Sequence, residues 1–434
     1  MYAIIFGLLF FCSITISAAN LKIQHWTSTA GAQVYFVKTS VLPMVDVSVV
    51  FAAGSVYDGD HFGLAALTNN MFGEATKTLS ANQIANAFDA VGAIFSNDTN
   101  RDFATLSLRS LTTSKYLTPA LNTFKDVLSN AVFNNASFER IKNQTLAGIK
   151  VGQESPDTVA MDKFNQMLYG DQAYAHPVAG TLQSVSSLTI PMLNEFYKRY
   201  YVAHNADIIL VGDLQHSQAE SIANELASAL PVGEHAAVLP VMKAATEDKT
   251  LHINFPSQQT TIVLGQLGIT RENPDYFPLI VGNSILGQLP MTSLLFKNVR
   301  NKRGLAYYAV SGFDLLRYKG PFDIQLKTRA AKANESIEVV KSTLADFIKE
   351  GPTDQQLTMA KNYINGSFPL SFATNSAILG VVTNIAFYKR PLDFMDTYLK
   401  NVNAVTTAQI KSAFAKIVHP QQMILVTVGP NEKS

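Results

Sequence analysis

The chain has 434 residues, 47% of them hydrophobic, with 34 Lys plus Arg set against 33 Asp plus Glu. A net charge of +1 gives no bulk attraction to nucleic acid or to an acidic membrane surface. Length and apolar content suit two or more globular domains rather than one. The first twelve residues, Met1 to Cys12, are continuously apolar, and the small residues Ser17-Ala18-Ala19 follow. This predicts a signal peptide over residues 1–19, cleaved after Ala18 or Ala19, and an exported protein, periplasmic or secreted. Cys12 is the only cysteine, so the mature chain would hold no disulfide and no cysteine metal site.

Val34-Tyr-Phe-Val and Val45 to Gly54 read as strands, β-branched and partly alternating, joined by a turn containing Pro43. Gly63 to Glu74 then opens as a helix with Leu64, Leu67 and Met71 on one buried stripe. Asn69 and Asn70 sit beside that stripe, where Asn is a poor helix former and needs a hydrogen-bonding reason. Ser80 to Val91 reads as a second helix, capped by Ser80 and ended at Gly92, and Phe103 to Leu111 alternates as a strand. Helices follow near 114–130, 136–152 and 156–169, the last opening at Pro156. Thr189 to Tyr201 is another, and Ala206 to Gly212 is a buried strand. Strands, helices and a closing strand make an α+β layer.

From Pro231 to Asp248 the pattern breaks, with two prolines, one glycine and no clear period. The second half then repeats the first. Thr407 to Phe414, His419 and Met423 to Gly429 match Thr189 to Phe196, His204 and Ile208 to Gly212. The expected fold is therefore α+β: two homologous domains, 20–232 and 249–434, joined by a linker at 233–248.

Two strings carry chemistry. The frame Gly63-Leu-Ala-Ala66-Leu-Thr-Asn69-Asn70-Met-Phe72, with Thr76 beyond it, resembles the inverzincin motif of the pitrilysin/insulinase zinc peptidases, in their processing-peptidase branch. That branch reads roughly G-L-A-H-x-x-E-H-M-x-F-x-G-T. Under this resemblance the first metal His falls on Ala66, the general-base Glu on Asn69 and the second metal His on Asn70. The third ligand, a Glu in a later helix that matches Phe138 to Ile149, falls on Gly148. A methyl, two neutral amides and a glycine offer zinc no thiolate, imidazole or carboxylate, and an amide takes no proton from water near pH 7. None of the eight histidines lies three or four residues from another, so no helical replacement pair exists. The chain is expected to hold no metal of its own.

The second string, Leu294 to Phe313, reads as a helix stopped at Gly304 and then a strand, and resembles the family's second-half signature R-E-x-R-G-L-A-Y. The resemblance assigns its catalytic Arg and Tyr to Arg300 and Tyr307, which would assist the substrate carbonyl across a closed chamber. The preceding loop, Gly287 to Thr292, departs from the family's glycine-rich stretch. Taken together, the resemblance implies a zinc-less subunit of an exported metalloendopeptidase, inactive alone. Its partner would be a homologous H-x-x-E-H subunit holding the zinc, its substrate a peptide or unfolded protein. The alternative is a non-catalytic structural or peptide-binding protein of the same fold.

Overall fold

The computed structural model describes residues 22–242 and 250–431. The expected signal peptide and its cleavage point, and the end of the expected linker, lie outside the described residues.

The first half opens with β1 (Gln24–Thr27), β2 (Gln33–Lys38) and β3 (Met44–Phe51), then α1 (Leu64–Asn70) and α2 (Ala81–Asp89). It continues through β4 (Ile94–Thr99), β5 (Ala104–Leu111), α3 (Ser114–Ser129), α4 (Asn135–Gln153), α5 (Pro156–Tyr169), α6 (Leu182–Ser187) and α7 (Ile190–Tyr200). It closes with β6 (Ala206–Gly212) and α8 (His216–Ala229). The second half runs β7 (Thr250–Asn254), β8 (Gln259–Leu267), α9 (Tyr276–Asn283), β9 (Ala306–Phe313) and β10 (Pro321–Arg329). Then come α10 (Ala333–Glu350), α11 (Asp354–Ser367), α12 (Asn375–Phe387), α13 (Phe394–Ala404), α14 (Thr407–Ile417) and β11 (Ile424–Gly429).

The first sheet has the order β1-β2-β6-β3-β5-β4 and the second β7-β11-β8-β10-β9. Apart from β1 the two correspond strand for strand. The closing strand pairs parallel with the opening one (β2 with β6, β7 with β11), and every other neighbour is antiparallel. The five helices α3 to α7 between β5 and β6 answer, in order, to α10 to α14 between β10 and β11. The repeat seen in the sequence is thus matched in topology and in pairing direction.

The halves are interlocked by an exchange of helices. α12 of the second half lies on β3 and β6 of the first sheet, and α5 of the first half lies on β8 and β11 of the second. The alternation of side chains explains the sequence pattern. Val34, Phe36, Ile208 and Leu210 face the helices of their own half, while Tyr35, Val37, Ile209 and Val211 face Ile378, Val382 and Phe387 from α12. A strand covered on both faces by apolar groups has no polar side, so β2 and β6 read as apolar runs, while β3 alternates and carries the buried Asp46 and Ser48 on one face. Asp102 pins the same seam. It is almost fully buried and accepts from the Tyr174 hydroxyl of its own half and from the Tyr388 hydroxyl (2.8 Å) and Arg317 N–H (2.8 Å) of the other. A carboxylate with three donors is satisfied where an unpaired one would oppose folding strongly. Among the described residues, no single helix is long and apolar enough to cross a membrane.

One local expectation needs correcting. The stretch before Gly304 is π-wound over Phe296–Asn301, as is Ser284–Gln288 just upstream, so the chain around Arg300 is wider than an α-helix. π-turns are rare, and where they occur they displace side chains from the helical register. Gly304, at φ +59°, ends the segment as expected.

Candidate functional site

α1 begins where Gly63 adopts φ +92°, and a Cβ there would lie 2.7 Å from the Ala179 carbonyl oxygen, so glycine is required. The helix start is fastened by Asp58. Its two carboxyl oxygens accept from the Gly63 and Ala65 N–H groups at 2.7 Å each, which satisfies donors that a helix start leaves open. Burial pushes the Asp58 carboxyl up to about 8 against the pull of those two N–H groups. His176 stands 3.8 Å away, stacked on Phe62, and burial pulls its imidazole down. Burial thus disfavours the charged form of both groups. Sequence reading missed Asp58 and His176; the only signal for the first was an acid shortly before a helix N-terminus.

Asn69, at the general-base position, is fully buried and satisfied at both ends of its amide. Its Nδ2 donates to the carbonyls of Asp98 (2.8 Å) and Thr105 (3.4 Å), and its Oδ1 accepts from the Tyr201 hydroxyl at 3.0 Å. Its own carbonyl accepts from Asn97 Nδ2 at 2.7 Å. It therefore stitches α1 to β4, β5 and the end of α7. Asn70 is exposed, and Ala66 lies at the edge of burial. Gly148 is exposed on α4, where a Cβ would meet nothing within 4 Å. α4 packs beside α1, so the two helices that carry these positions are in contact. The four residues do not fit a metal. No side chain among them is a zinc donor, and the one buried amide is already committed to carbonyls and a phenol. Among the described residues no group of three or more His, Cys, Asp or Glu could hold a metal ion.

Arg300 and Tyr307 are brought together. The guanidinium lies 4.4 Å from the centre of the Tyr307 ring and 4.8 Å from that of Phe296, and Nη1 donates to the Tyr307 carbonyl at 3.2 Å. Two rings and a carbonyl hold a flexible side chain in place. Tyr307 is 77% exposed on β9, the edge strand of its sheet. Lys297, Lys302 and Arg303 add positive charge along the same segment, Arg303 tied to the Asn298 carbonyl at 3.0 Å. Upstream, Asn283 and Ser311 exchange two buried hydrogen bonds that fix α9 to β9. Among the described residues, no hydrogen bond, ion pair or ring contact joins Arg300 or Tyr307 to α1.

Comparison with known proteins agrees with this frame. Residues 34–182 match the family described as Insulinase (Peptidase family M16), and residues 187–364 match Peptidase M16 inactive domain. A crystal structure of a peptidase M16 inactive domain from Pseudomonas fluorescens is 38% identical, with a TM-score of 0.91 over 95% of this chain and 99% of that one. The chain belongs to peptidase family M16. Its relatives include an uncharacterized zinc protease YmxG from Bacillus subtilis, 24% identical over 94% of this chain and 98% of that protein. Another, from Helicobacter pylori, is described as a non-peptidase homolog YmxG and is 25% identical over 88% of each chain.

Proposed function

We propose that this chain is the non-zinc-binding subunit of an exported metallopeptidase, supplying Arg300 and Tyr307 to peptide-bond hydrolysis at the metal of a homologous H-x-x-E-H partner. The observation that carries the reading is the exposed, pre-positioned Arg300–Tyr307 pair on an edge strand, in a chain whose motif helix can do no metal chemistry. When water adds to a peptide carbonyl, negative charge develops on the oxygen. A guanidinium and a phenol aimed at that oxygen each lower the barrier by about 3 kcal/mol. Substrate binding by strand addition at a sheet edge would need only backbone groups, consistent with varied peptide or unfolded substrates. The zinc belongs to the partner; this chain provides donors and surface.

The test is reconstitution. The chain alone should bind no stoichiometric zinc and cleave no peptide. Mixed with an H-x-x-E-H homologue from the same source, it should form a heterodimer whose peptidase activity exceeds that of either protein. If no complex forms with any such homologue, or the homologue is equally active alone, the non-catalytic peptide-binding reading replaces this one.

A further inference from the structure

In the second half a cavity of about 620 Å³ opens between α9, α11, α12 and α13. These helices answer to α1, α4, α5 and α6, so the cavity occupies the place that, in the first half, lies between the helices bearing Ala66 and Gly148. Its walls are aromatic and aliphatic, with Tyr276, Phe368, Phe394 and Tyr398 prominent. Among the described residues, the charged groups lining it are Arg271 and Arg390, with no carboxylate.

Arg390 lies 3.6 Å from the centre of the Phe394 ring and 4.8 Å from that of Tyr276. Stacking covers the faces of a guanidinium and leaves the in-plane N–H donors for another partner. Arg271 lies 3.9 Å from the Tyr388 ring centre, is hydrogen-bonded to the Tyr388 side chain and donates to the Leu315 carbonyl, so it is largely committed within the fold. Arg390, whose guanidinium makes only ring contacts among the described residues, is the freer of the two. Two cations and no carboxylate, in a volume suited to a small organic ligand with aromatic walls, suit an anion with an apolar body.

We propose that this cavity binds a carboxylate carried on an apolar body, with Arg390 as the anchor, Arg271 as a supporting cation and the aromatic walls holding the remainder. The free C-terminus of a short peptide ending in an apolar residue, or a small aromatic acid, meets that description. The inference concerns this chain alone and stands whether or not the Arg300–Tyr307 reading holds.

Calorimetric titration of the purified full chain tests it, using N-acetylphenylalanine, its C-terminal amide, phenylpropionate and a tripeptide ending in phenylalanine. The acid should bind about 10- to 100-fold more tightly than the amide, the discrimination expected of a charge-assisted pair. Arg390→Gln should erase that difference. Gly380→Leu offers a control that does not depend on losing a contact. Gly380 lines the cavity on α12 and a Cβ added there meets nothing within 4 Å, so leucine should fill the site and abolish binding without lowering the melting temperature. Tighter binding of the tripeptide than of phenylpropionate would identify a peptide terminus as the source, and the reverse a free small acid. Equal binding of acid and amide, an unchanged preference in Arg390→Gln, or no binding of any probe at millimolar concentration would overturn the proposal.

Discussion

Asn69 is fully buried with both ends of its amide bonded inside the fold, whereas Tyr307 is 77% exposed, with Arg300 lying across its ring. Both belong to strings that resemble one family's reaction machinery, yet they have opposite relations to the rest of the molecule. The first has been absorbed into the structure: its polar groups now tie a helix to two strands and a tyrosine. The second contributes little that the fold would miss, since removing an exposed ring and a half-buried guanidinium opens no cavity in the core. A polar residue held for stability finds partners inside; one held for a ligand or a partner protein leaves its donors at the surface. The difference can be measured, because it predicts that the two strings fail in different assays.

The largest effect is expected at Arg300. In a reconstituted complex, Arg300→Ala or Tyr307→Phe should lower kcat by roughly one to three orders of magnitude with little change in KM, because each removes a donor that matters mainly in the transition state. The melting temperature of the isolated chain should hardly move, as for other surface substitutions of about 0.5 kcal/mol or less. Two fully active variants would make the pair structural and remove the contrast.

Asn69 should show the reverse. Asn69→Glu sets a buried carboxylate against the Asp98 and Thr105 carbonyl oxygens, where the amide had donated. A loss of about 3 kcal/mol follows from the unmet acceptors and the buried charge. Denaturant unfolding of the isolated chain measures it directly. An Asn69→Glu protein as stable as the parent would mean that the site relaxes easily and that restoring the family's base is structurally permitted. The present geometry argues against that.

How much of this was legible beforehand depends on whether a feature is local. The helix at Gly63, its apolar stripe and the duplication were readable because periodicity and repeated strings are local signals. That Ala66, Asn69, Asn70 and Gly148 offer zinc no good ligand was readable because donor chemistry belongs to each side chain. The hydrogen bonds of Asn69 were not, since its partners Asp98, Thr105 and Tyr201 come from strands and a helix end far along the chain. The exchange of α5 and α12 was hidden for a related reason. Apolar runs such as Ile208 to Val211 say that both faces are covered but not by which half. The π-winding around Arg300 left no sequence signal at all, because nothing in Phe296 to Asn301 breaks a helix.

A smaller and pH-dependent effect should come from Asp58. An ordinary carboxyl in the unfolded chain titrates near 4, and in the fold burial moves this one up to about 8. The folded state therefore binds the proton more tightly. The stability this contributes is complete below about pH 4 and is lost as pH rises through about 8. Asp207 and Asp323, pushed up to about 6 by burial, act with the same sign over a narrower range. His176, whose imidazole burial pulls down, acts with the opposite sign up to about pH 6.5, so the melting temperature should fall most clearly between about pH 6.5 and pH 8. Asp58→Asn should flatten that slope even if it lowers stability overall by giving up one of two acceptors. A melting temperature that rises over this range would show that the Gly63 and Ala65 N–H groups hold Asp58 ionised.

The smallest expected effect is at Gly148, and it is a gain. This residue lies in the interior of α4, where glycine is less favourable than a straight-chain residue by roughly 0.5–1 kcal/mol. It is exposed, and a Cβ added there meets nothing within 4 Å. Gly148→Glu should therefore stabilise the isolated chain by about 0.5 kcal/mol, a rise of about half a degree in melting temperature for a chain of this size and better read by denaturant unfolding. It should also bind no zinc, because Ala66 and Asn70 supply no ligand that one carboxylate could complete. The pairing with Asn69→Glu is informative: two changes toward the same family motif, one expected to cost about 3 kcal/mol and the other to help. Opposite signs would locate the loss of the site in the buried base position, where the fold has since built on the amide, and not in the exposed ligand position. A Gly148→Glu chain that is clearly destabilised would mean that α4 depends on glycine for close packing against something the surface there does not yet reveal, such as a bound partner.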